Sequence, residues 1–586
     1  MSFANLKSQR QEKSRKSYVD VPQSSVSSNP ETITLLSSEK ADHNRDESHY
    51  ATPNGIYTSL PTSMEIRMTS ASGRSLYMKE PTRTGSILIS VKPHVYVLSN
   101  QYLDSHCSSC SAPASSSGLK KCTRCQTIRY CNLACQANDW SLHKSECSAL
   151  QRWAKNAPSE DLAIPSDAIR CLGRILWKRK KRGFDSPWAQ EIDGLQSHRK
   201  SLQPASFETH THLAHSLVRY FGLTSPAELS EYGLSSAGDL VDVISRFVTN
   251  TFALTSPSLT PLGVSVSPLI ALINHSCDPN AVIVFPRSPK NPSAEEPLMQ
   301  VVAIRDIAEN EEVLTAYIDT TLPRFLRQES LRETYDFDCQ CPICTHHVGV
   351  DPREAIWCPK SCGGMCPVPT EEDSLSQCEN CRAAVSSTDT VIDAIRVGQE
   401  ALDKATLLQT RDYDKAKQLT TNIIPILVSA GLVPSCHPLL GLTGLHKSLL
   451  VSALSTTVRQ EVLDETIRAA AKYAAGLSAI LREGHPVRGI ALSELGKLLA
   501  VDELAPTSPG QSIHFPPSGP LRLKAAYDAL IRARNELTVG FGRANDGGET
   551  GTAVREAAMS IEKELGVWTQ GIRNIREDTP KSTKAK

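Results

Sequence analysis

The sequence has no run of eighteen or more apolar residues, and a helix needs about twenty to cross a bilayer, so no transmembrane helix is predicted. Its basic, serine-containing first twenty residues lack the apolar core of a secretory signal. They weakly resemble a transit peptide, but a disordered tail is the simpler interpretation. The 63 Lys and Arg residues balance the 63 Asp and Glu residues, so no overall field favours a membrane or nucleic acid. We therefore expect a protein of the cytoplasm, the nucleus or both, with no membrane partner and at most an indirect link to nucleic acid.

Cysteine, by contrast, is abundant, with 18 residues in a chain of 586. In a chain without a secretory signal, this many cysteines indicate metal binding and not a disulfide framework. Sixteen of them fall in three tight clusters between Cys107 and Cys381, or at Cys277, which is grouped with one cluster below. The two others, Cys171 and Cys436, are predicted to be small core residues.

The pattern of apolar residues changes several times along the chain, and 586 residues predict two to four domains. Short β-branched stretches at 86–98 and 281–318 are typical of strands. Apolar residues at helical spacing dominate 160–255 and the region after 388. The sequence therefore predicts an α+β multidomain protein that ends in helical hairpins, for which a tetratricopeptide-like array is our hypothesis.

The first cysteine cluster has eight candidate ligands in the pattern C-x2-C-x11-C-x2-C-x5-C-x3-C-x7-H-x3-C. Eight such ligands can fill two tetrahedral zinc sites, and sites without an open position are structural. The spacing and the RYCN segment resemble the MYND zinc finger. That resemblance implies an interleaved pairing of Cys107, Cys110, Cys131 and Cys135 on one ion, and of Cys122, Cys125, His143 and Cys147 on the other.

A later cluster, WCPKSCGGMCPVPTEEDSLSQCENC, has short-spaced pairs typical of a zinc ribbon. Its candidate ligands are Cys358, Cys362, Cys378 and Cys381, with Cys366 as an alternative to Cys362. A fourth zinc is therefore predicted here. The competing interpretation is a cysteine-rich loop with partial redox coupling.

A second family resemblance lies in INHSCDPN at 273–280, which is similar to a signature of SET-domain methyltransferases. VVAIRDIAENEEVLTAYID resembles the strands that follow it in that family, TYDFDCQCPIC the post-SET segment, and ASGRSLYMKEPTRTGSIL the opening of the fold. A SET domain split by a MYND finger and followed by helices resembles the SET and MYND domain-containing protein lysine methyltransferases, over roughly residues 64–500.

The resemblance divides the chain into segments. They are a disordered tail (1–60), the N-terminal part of SET (61–104), the MYND finger (105–150), a helical SET insertion (151–255), the SET core (256–336), a post-SET zinc segment (337–347), a zinc ribbon (348–387), a C-terminal helical domain (388–575) and a flexible tail (576–586).

The family's cofactor is S-adenosylmethionine, and the resemblance assigns its contacts in this chain to Arg74, Asn250, Leu272, Asn274, His275, Tyr317 and Phe337. It also implies that Cys277 joins Cys339, Cys341 and Cys344 around a third zinc, which ties the post-SET loop to the core. Two positions depart from the family pattern, since Ser75 replaces a glycine and Ala271 stands where serine is common.

The implied reaction is methyl transfer to a lysine amine, which must be neutral to act as a nucleophile. A free lysine has a pKa of about 10.4, so the site has to desolvate the ammonium in an apolar channel. The resemblance places Tyr317 and Tyr335 beside that channel as the catalytic residues. Their hydroxyls would orient the amine, because a neutral phenol is a poor base at pH 7.

The expected partner is a protein substrate, histone or non-histone, with an accessible lysine, and proline-rich peptides are candidate partners of the MYND finger. The alternative function is a non-catalytic adaptor or transcriptional co-regulator that recruits partners through MYND and the helices. Ser75 and Ala271 favour that alternative, whereas the two tyrosines favour catalysis. The basic segment at 177–183, WKRKKRG, fits a nuclear address or a nucleic-acid patch, but a solvated surface segment is the simpler interpretation.

Overall fold

A computed structural model describes residues 56–69, 73–202, 204–288, 293–345, 349–371, 375–454, 459–503 and 515–578. Most of the predicted N-terminal tail, up to residue 55, and the C-terminal tail after residue 578 lie outside these described residues. None of the described helices combines the length and the apolar character that a bilayer crossing requires. The predicted α+β multidomain fold is confirmed.

The strands are short and sit in small sheets. They are β1 (Met64–Thr69), β2 (Gly73–Met78), β3 (Ile87–Val91), β4 (Val95–Leu98), β5 (Lys120–Lys121), β6 (Arg129–Tyr130), β7 (Thr251–Thr255), β8 (Pro261–Val266), β9 (Asn274–His275), β10 (Ala281–Val284), β11 (Met299–Ala303), β12 (Leu314–Thr315), β13 (Ala355–Trp357) and β14 (Met365–Pro367). Neighbours in the sheets are β1-β2, β10-β11-β3, β4-β8-β7, β9-β12, β5-β6 and β13-β14, and only β9-β12 is parallel.

The described helices occupy three stretches of the chain, 133–249, 324–345 and 388–578. They are α1 (Leu133–Lys155), α2 (Asp167–Arg182), α3 (Pro187–Asp193), α4 (Pro204–Phe221), α5 (Ala237–Thr249), α6 (Arg324–Tyr335), α7 (Pro342–Thr345), α8 (Thr388–Leu408), α9 (Tyr413–Ser429), α10 (Leu439–Leu454), α11 (Gln460–Ile480), α12 (Pro486–Leu499), α13 (Pro520–Gly540) and α14 (Gly548–Asp578). Single 3-10 turns, such as Ile270–Leu272 and Pro352–Glu354, lie between them.

Helices fill most of the predicted helical insertion, and serine side chains start three of them. Ser166, Ser186 and Ser236 each accept a hydrogen bond from a backbone N–H in the first turn of α2, α3 and α5, which satisfies a donor that the helix itself leaves free. The prediction was wrong at the end of this segment, because residues 251–255 form β7. They pair antiparallel with β8, and that pairing outweighs the helical spacing that precedes them.

The sheet β10-β11-β3 is buried on both faces. Every residue of β11 is buried, with Val301 in the core of the N-terminal half and Val302 in a second core formed with the C-terminal helices. Apart from Gln300, β11 is apolar, which is typical of strands covered on both sides. The second core includes Leu530 and Leu537 of α13.

The turn after α13 also bonds directly to the sheet. The Arg543 N–H donates to the Gly85 carbonyl at 2.8 Å, and the amide of Asn545 donates to Gln300 Oε1 at 2.7 Å. Consecutive helices from α8 to α14 pack against one another, so the helical region is a layered array. Its helix α13 and the turn that follows α13 pack against the sheet β10-β11-β3.

The basic segment at 177–183 forms the last turns of α2, where positive charge is favourable beside the partial negative charge of the helix end. Lys178 is mostly buried; it donates to the His94 carbonyl at 2.6 Å and lies over the Trp188 ring. Burial lowers the pKa of Lys178 to about 8. Lys180 pairs with Glu231 at the surface. Two of the basic side chains are therefore engaged within the fold.

Candidate active site and metal clusters

The parallel pair β9-β12 brings two distant segments together. Asn274 lies opposite Leu314 and His275 opposite Thr315. Asn280 fixes this arrangement, because its fully buried amide donates to the Glu312 carbonyl and accepts from the Leu314 N–H, both at 2.7 Å. The chain therefore turns back on itself between residues 275 and 280 and places the INHSCDPN segment beside residues 312–317.

Four aromatic rings from three segments meet next to this pair. The Tyr317 ring lies 4.9 Å from the Tyr335 ring and 5.4 Å from the His275 ring, between centroids. The ring of Phe337 is 6.0 Å from that of His275. Tyr335 ends α6, and Asp336 then takes a left-handed conformation with φ of 59°. That reversal carries Phe337 back over the site.

Hydrogen bonds and burial determine the protonation states of Tyr317 and His275. The Tyr317 hydroxyl donates to the Ile273 carbonyl at 2.7 Å, and its backbone N–H donates to His275 Nδ1 at 3.0 Å. Burial raises the pKa of Tyr317, and the neighbouring Tyr335 and Glu312 raise it further. Burial lowers the pKa of His275 to about 4. At pH 7 the phenol is protonated and the imidazole is neutral.

The Asn274 side chain is bound to the opening strand of the fold. Its amide donates to Ser75 Oγ at 2.8 Å, to the Arg74 carbonyl at 3.3 Å and to Glu312 Oε1 at 2.9 Å. Ser75, the residue that departs from the family's glycine, is fully buried, and it supplies an acceptor that glycine lacks. The substitution therefore adds a contact at this position.

The side chains of Arg74 and Asn250 meet the same loop. Arg74 Nη2 donates to the Gly194 carbonyl, and the Asn250 amide donates to the Gln196 carbonyl at 2.9 Å. Leu272 is buried in the 3-10 turn just before Asn274. Arg74 and Asn250 are thus both hydrogen-bonded to loop 194–196. The Arg74 carbonyl also accepts a hydrogen bond from Asn274.

A cluster of four thiols lies directly behind the aromatic rings. The Sγ atoms of Cys277, Cys339, Cys341 and Cys344 all lie within 4.8 Å of one another, and those of Cys277 and Cys344 are 3.6 Å apart. Four thiols at such spacing fit a tetrahedral zinc site. Tyr335 and Phe337 pack against this cluster.

Two residues that the sequence did not indicate support this cluster from α6. Arg327 is fully buried, with one guanidinium nitrogen on the Leu322 carbonyl at 2.5 Å and another 3.8 Å from Cys344 Sγ. Gln328 accepts from the Cys339 N–H and donates to the Cys339 carbonyl, both at 2.8 Å. A buried cation beside thiolates offsets their negative charge.

Replacing Arg327 with methionine should weaken metal binding at the post-SET thiols. The change keeps much of the apolar volume and removes the charge beside Cys344. Supporting residues of this kind typically contribute about 10- to 100-fold in metal affinity. Competition with a chelator would measure the zinc affinity, and Arg332→Met, an exposed position of the same helix that pairs with Asp338, is the control. Equal affinities in the two variants would contradict this role.

The first cysteine cluster forms two groups with the interleaved pairing that the resemblance implied. Cys107, Cys110, Cys131 and Cys135 gather in one group, and Cys122, Cys125, His143 and Cys147 in the other. In the second group, His143 Nε2 lies 3.7 Å from Cys125 Sγ. His143 Nδ1 is bonded to Glu146 at 3.1 Å, which leaves Nε2 free to bind a metal.

A buried ion-pair network joins this second group to α2. Arg174 bonds both carboxylate oxygens of Asp139, at 3.0 and 3.1 Å, and also bonds Glu146. Tyr130 donates its hydroxyl to Asp139 at 2.9 Å. Asp139, His143 and Glu146 also lie close enough to hold an ion, but Arg174 already bonds both carboxylates. This triad is therefore a support for the zinc ligand His143.

A surface hollow of about 440 Å³ lies beside α6 and includes Phe325, Gln328 and Cys339 in its lining. None of the residues assigned to the cofactor lines it. None of the four aromatic rings of the site lines this hollow either.

The module with eight candidate zinc ligands at residues 107–147 precedes a core in which INHSCDPN meets a tyrosine pair and a four-thiol cluster. This order of parts resembles that of SET and MYND domain-containing proteins. The MYND finger family model matches residues 107–147. The chain is also similar over 47% of its length to proteins named lysine methyltransferases.

Histone-lysine N-methyltransferase ASHR1 of Arabidopsis thaliana is 30% identical over 282 residues, which are 47% of this chain and 53% of the relative. N-lysine methyltransferase SMYD2 of Homo sapiens is 31% identical over 282 residues, 47% of this chain and 58% of the relative. The chain thus spans little more than half the length of these curated relatives. The SET domain of LSMT, solved with lysine and AdoHcy, aligns over 87% of both chains with 12% identity and a TM-score of 0.28.

Proposed function

We propose that this protein transfers a methyl group from S-adenosylmethionine to the ε-amine of a lysine in a protein substrate. The observation that carries the proposal is the pair of tyrosines, Tyr317 and Tyr335, held 4.9 Å apart between centroids beside the Asn274–His275 segment. Relatives at about 30% identity bear the name lysine methyltransferase. Their names support the same chemistry.

The opening of the fold offers room for a bound cofactor. Gly73 has φ of +68°, and a Cβ placed there would meet no described atom within 4 Å. A positive φ at this position favours glycine, and the open space lies at the start of β2, whose next two residues contact Asn274. We assign cofactor binding to Arg74, Asn250, Leu272, Asn274, His275, Tyr317 and Phe337. S-adenosylmethionine would supply an electrophilic methyl group on a sulfonium sulfur.

The tyrosines would prepare the lysine for attack. Since the Tyr317 proton points to the Ile273 carbonyl, the lone pairs on its oxygen are free to accept from the amine or from a polarised methyl group. The raised pKa of Tyr317 excludes a phenolate near pH 7, so this residue orients and does not remove a proton. An apolar aromatic wall also favours the neutral amine over the ammonium.

The four-thiol cluster would hold the wall of the channel in place. Tyr335, the last residue of α6, and Phe337 pack against the thiol cluster. Cys277 comes two residues after His275. One zinc would therefore fix both sides of the site. Precise placement of reacting groups supplies much of the rate gain in such reactions.

The experiment is methyl labelling of a cell extract with isotopically labelled S-adenosylmethionine and the purified full chain. We expect labelled lysines with the native protein and none above background with Tyr317→Phe. The second candidate, a non-catalytic adaptor, is favoured by Ala271. Calorimetry would measure the binding of S-adenosylmethionine. If no binding occurred at high micromolar concentration, the enzyme proposal would be wrong and the adaptor function would be supported.

Protein partners follow from the same proposal. The substrate would be a histone or non-histone protein with an exposed lysine, and the MYND finger would recruit partners, including proline-rich peptides. We place this activity in the cytoplasm, the nucleus or both.

A further inference from the structure

The chain contains a fourth cluster of thiols that the proposed reaction does not use. The Sγ atoms of Cys358, Cys362, Cys378 and Cys381 all lie within 4.8 Å of one another. We propose that these four thiolates bind a structural zinc ion, and that this ion fixes the hairpin β13-β14 against the C-terminal helices. The proposal is independent of the methyl-transfer reaction.

The spacing of the sulfur atoms fits thiolates around one ion. Cys358 and Cys381 are 3.5 Å apart between Sγ atoms, and Cys362 and Cys378 are also 3.5 Å apart. A tetrahedral site with Zn–S bonds of about 2.3 Å has sulfur atoms about 3.8 Å apart, whereas a disulfide needs about 2.05 Å. The sulfur pairs inside the MYND finger, at 3.7 and 3.8 Å, are similarly spaced.

The backbone around Cys378 repeats a turn that occurs twice in the MYND finger. After the C-x2-C pair of Cys378 and Cys381, Arg382 has φ of 58° and its N–H donates to the Cys378 carbonyl at 3.0 Å. Ser111 makes the same bond to Cys107 at 2.8 Å with φ of 56°, and Gln126 makes it to Cys122 at 3.0 Å with φ of 59°. Left-handed backbone is uncommon outside glycine. Three copies of this turn, each after a C-x2-C pair, therefore indicate that the pair at Cys378 binds a metal as the pairs in the MYND finger do.

The backbone of the C-x3-C segment from Cys358 to Cys362 is arranged so that it stabilises a thiolate. The Lys360 N–H points to Cys358 Sγ at 3.4 Å, and the Ser361 N–H donates to the Cys358 carbonyl at 2.9 Å. Ser361 and Gly363 both have positive φ, which curls the C-x3-C segment around its sulfur atoms. Hydrogen bonds to sulfur favour its charged form.

Cys366 lies in β14 and is not among the four thiols that come within 4.8 Å of one another. It is fully buried, pairs in register with Ile356, and packs in the apolar core with Leu432 and Val433. Cys362 is exposed and lies in the four-thiol group. The grouping of the sulfur atoms therefore favours Cys362 over Cys366 as the fourth ligand.

The hairpin that the ion would close lies between the core and the helices. The Trp357 N–H donates to the Gly431 carbonyl at 2.8 Å, just after α9. The Arg353 side chain donates to the Thr320 carbonyl of the core at 2.6 Å and to the Ile480 carbonyl at the end of α11 at 3.2 Å. A hairpin of three-residue strands has too little core to hold this position alone.

This fourth site is more open than the other three. Cys362 and Cys381 are exposed, whereas none of the thiols in the other three groups is. Thiolates that solvent reaches are the first to meet chelators and oxidants. The ion at this site should therefore leave first.

Metal analysis of the full-length protein tests the proposal, with inductively coupled plasma mass spectrometry and native mass spectrometry. We expect four zinc ions per chain, one for each group, and three in Cys378→Ala and in Cys381→Ser. Cys366→Ala, a matched change in the same hairpin, should keep four. Cys381→Ser alters an exposed position, so it tests the site even if Cys378→Ala fails to fold.

Hydrogen exchange supplies the second readout. Loss of the fourth ion should speed amide exchange at Trp357 and Val433, which bond across the hairpin and the α9–α10 loop, and leave Tyr317 unchanged. Three zinc ions in the native protein, iron at this site, or four zinc ions in Cys381→Ser would overturn the proposal.

Discussion

Replacing Tyr317 with phenylalanine is expected to lower the methyl-transfer rate by about 10²- to 10³-fold, the usual loss when one preorganised hydroxyl is removed from a reacting centre. The Tyr317 hydroxyl holds the Ile273 carbonyl immediately before Asn274 and lies against the Tyr335 ring. The aromatic wall remains in the variant, so the affinity for S-adenosylmethionine should change little. Single-turnover kinetics and calorimetry measure the two quantities separately.

Tyr413→Phe is the matched control for this experiment. Its hydroxyl also donates to a backbone carbonyl, that of Leu449 at 2.6 Å, but within the helical array. Its turnover should equal that of the native protein. If Tyr317→Phe retained full turnover, or lost cofactor affinity in proportion to rate, the orienting role of Tyr317 would be wrong.

Replacing Arg174 with methionine is expected to destabilise the protein by about 3–5 kcal/mol, because it leaves two buried carboxylates without their cation. Asp139 and Glu146 are both buried, and Glu146 is bonded to the zinc ligand His143. The variant should therefore also release the zinc held by Cys122, Cys125, His143 and Cys147 at a lower urea concentration. Urea denaturation followed by circular dichroism and by a zinc-sensitive dye measures both effects.

Lys180→Met on the same helix is the comparison. Its ion pair with Glu231 is exposed on both sides, and such pairs contribute about 0–1 kcal/mol. If both variants lost a similar free energy of unfolding, burial of the Arg174 network would not contribute to stability.

The elements that follow local rules were predictable from the sequence. The strands at 86–98 and 281–303 were predicted from β-branched residues, and the helical character of the region that holds α2 and α5 from apolar residues at helical spacing. Residues 316–318 do not continue β12, since the chain turns there to place Tyr317 on His275. That turn depends on a side-chain contact between distant segments, which no local pattern contains.

The residues of the candidate sites also fall into those that the sequence indicated and those that it did not. Cysteine spacing indicated the clusters, and the family resemblance implied how their ligands group in the MYND finger and around Cys277. Arg174 and Arg327 gave no such signal. Arg174 meets Asp139 and Glu146 from a different helix, and Arg327 meets Cys344 across 17 positions. A buried arginine can be recognised only once its partners are known.

The sheet β10-β11-β3 has a consequence for how the chain is made. Its second face is covered by Leu537 and Phe541, which leave the ribosome about 240 residues after Ala303, or on the order of 10–50 s at usual synthesis rates. During that interval Val282, Val284 and Val302 present an apolar surface that other nascent chains could bind. We therefore expect dependence on chaperones during translation, and shortened products that stop before residue 520 should aggregate.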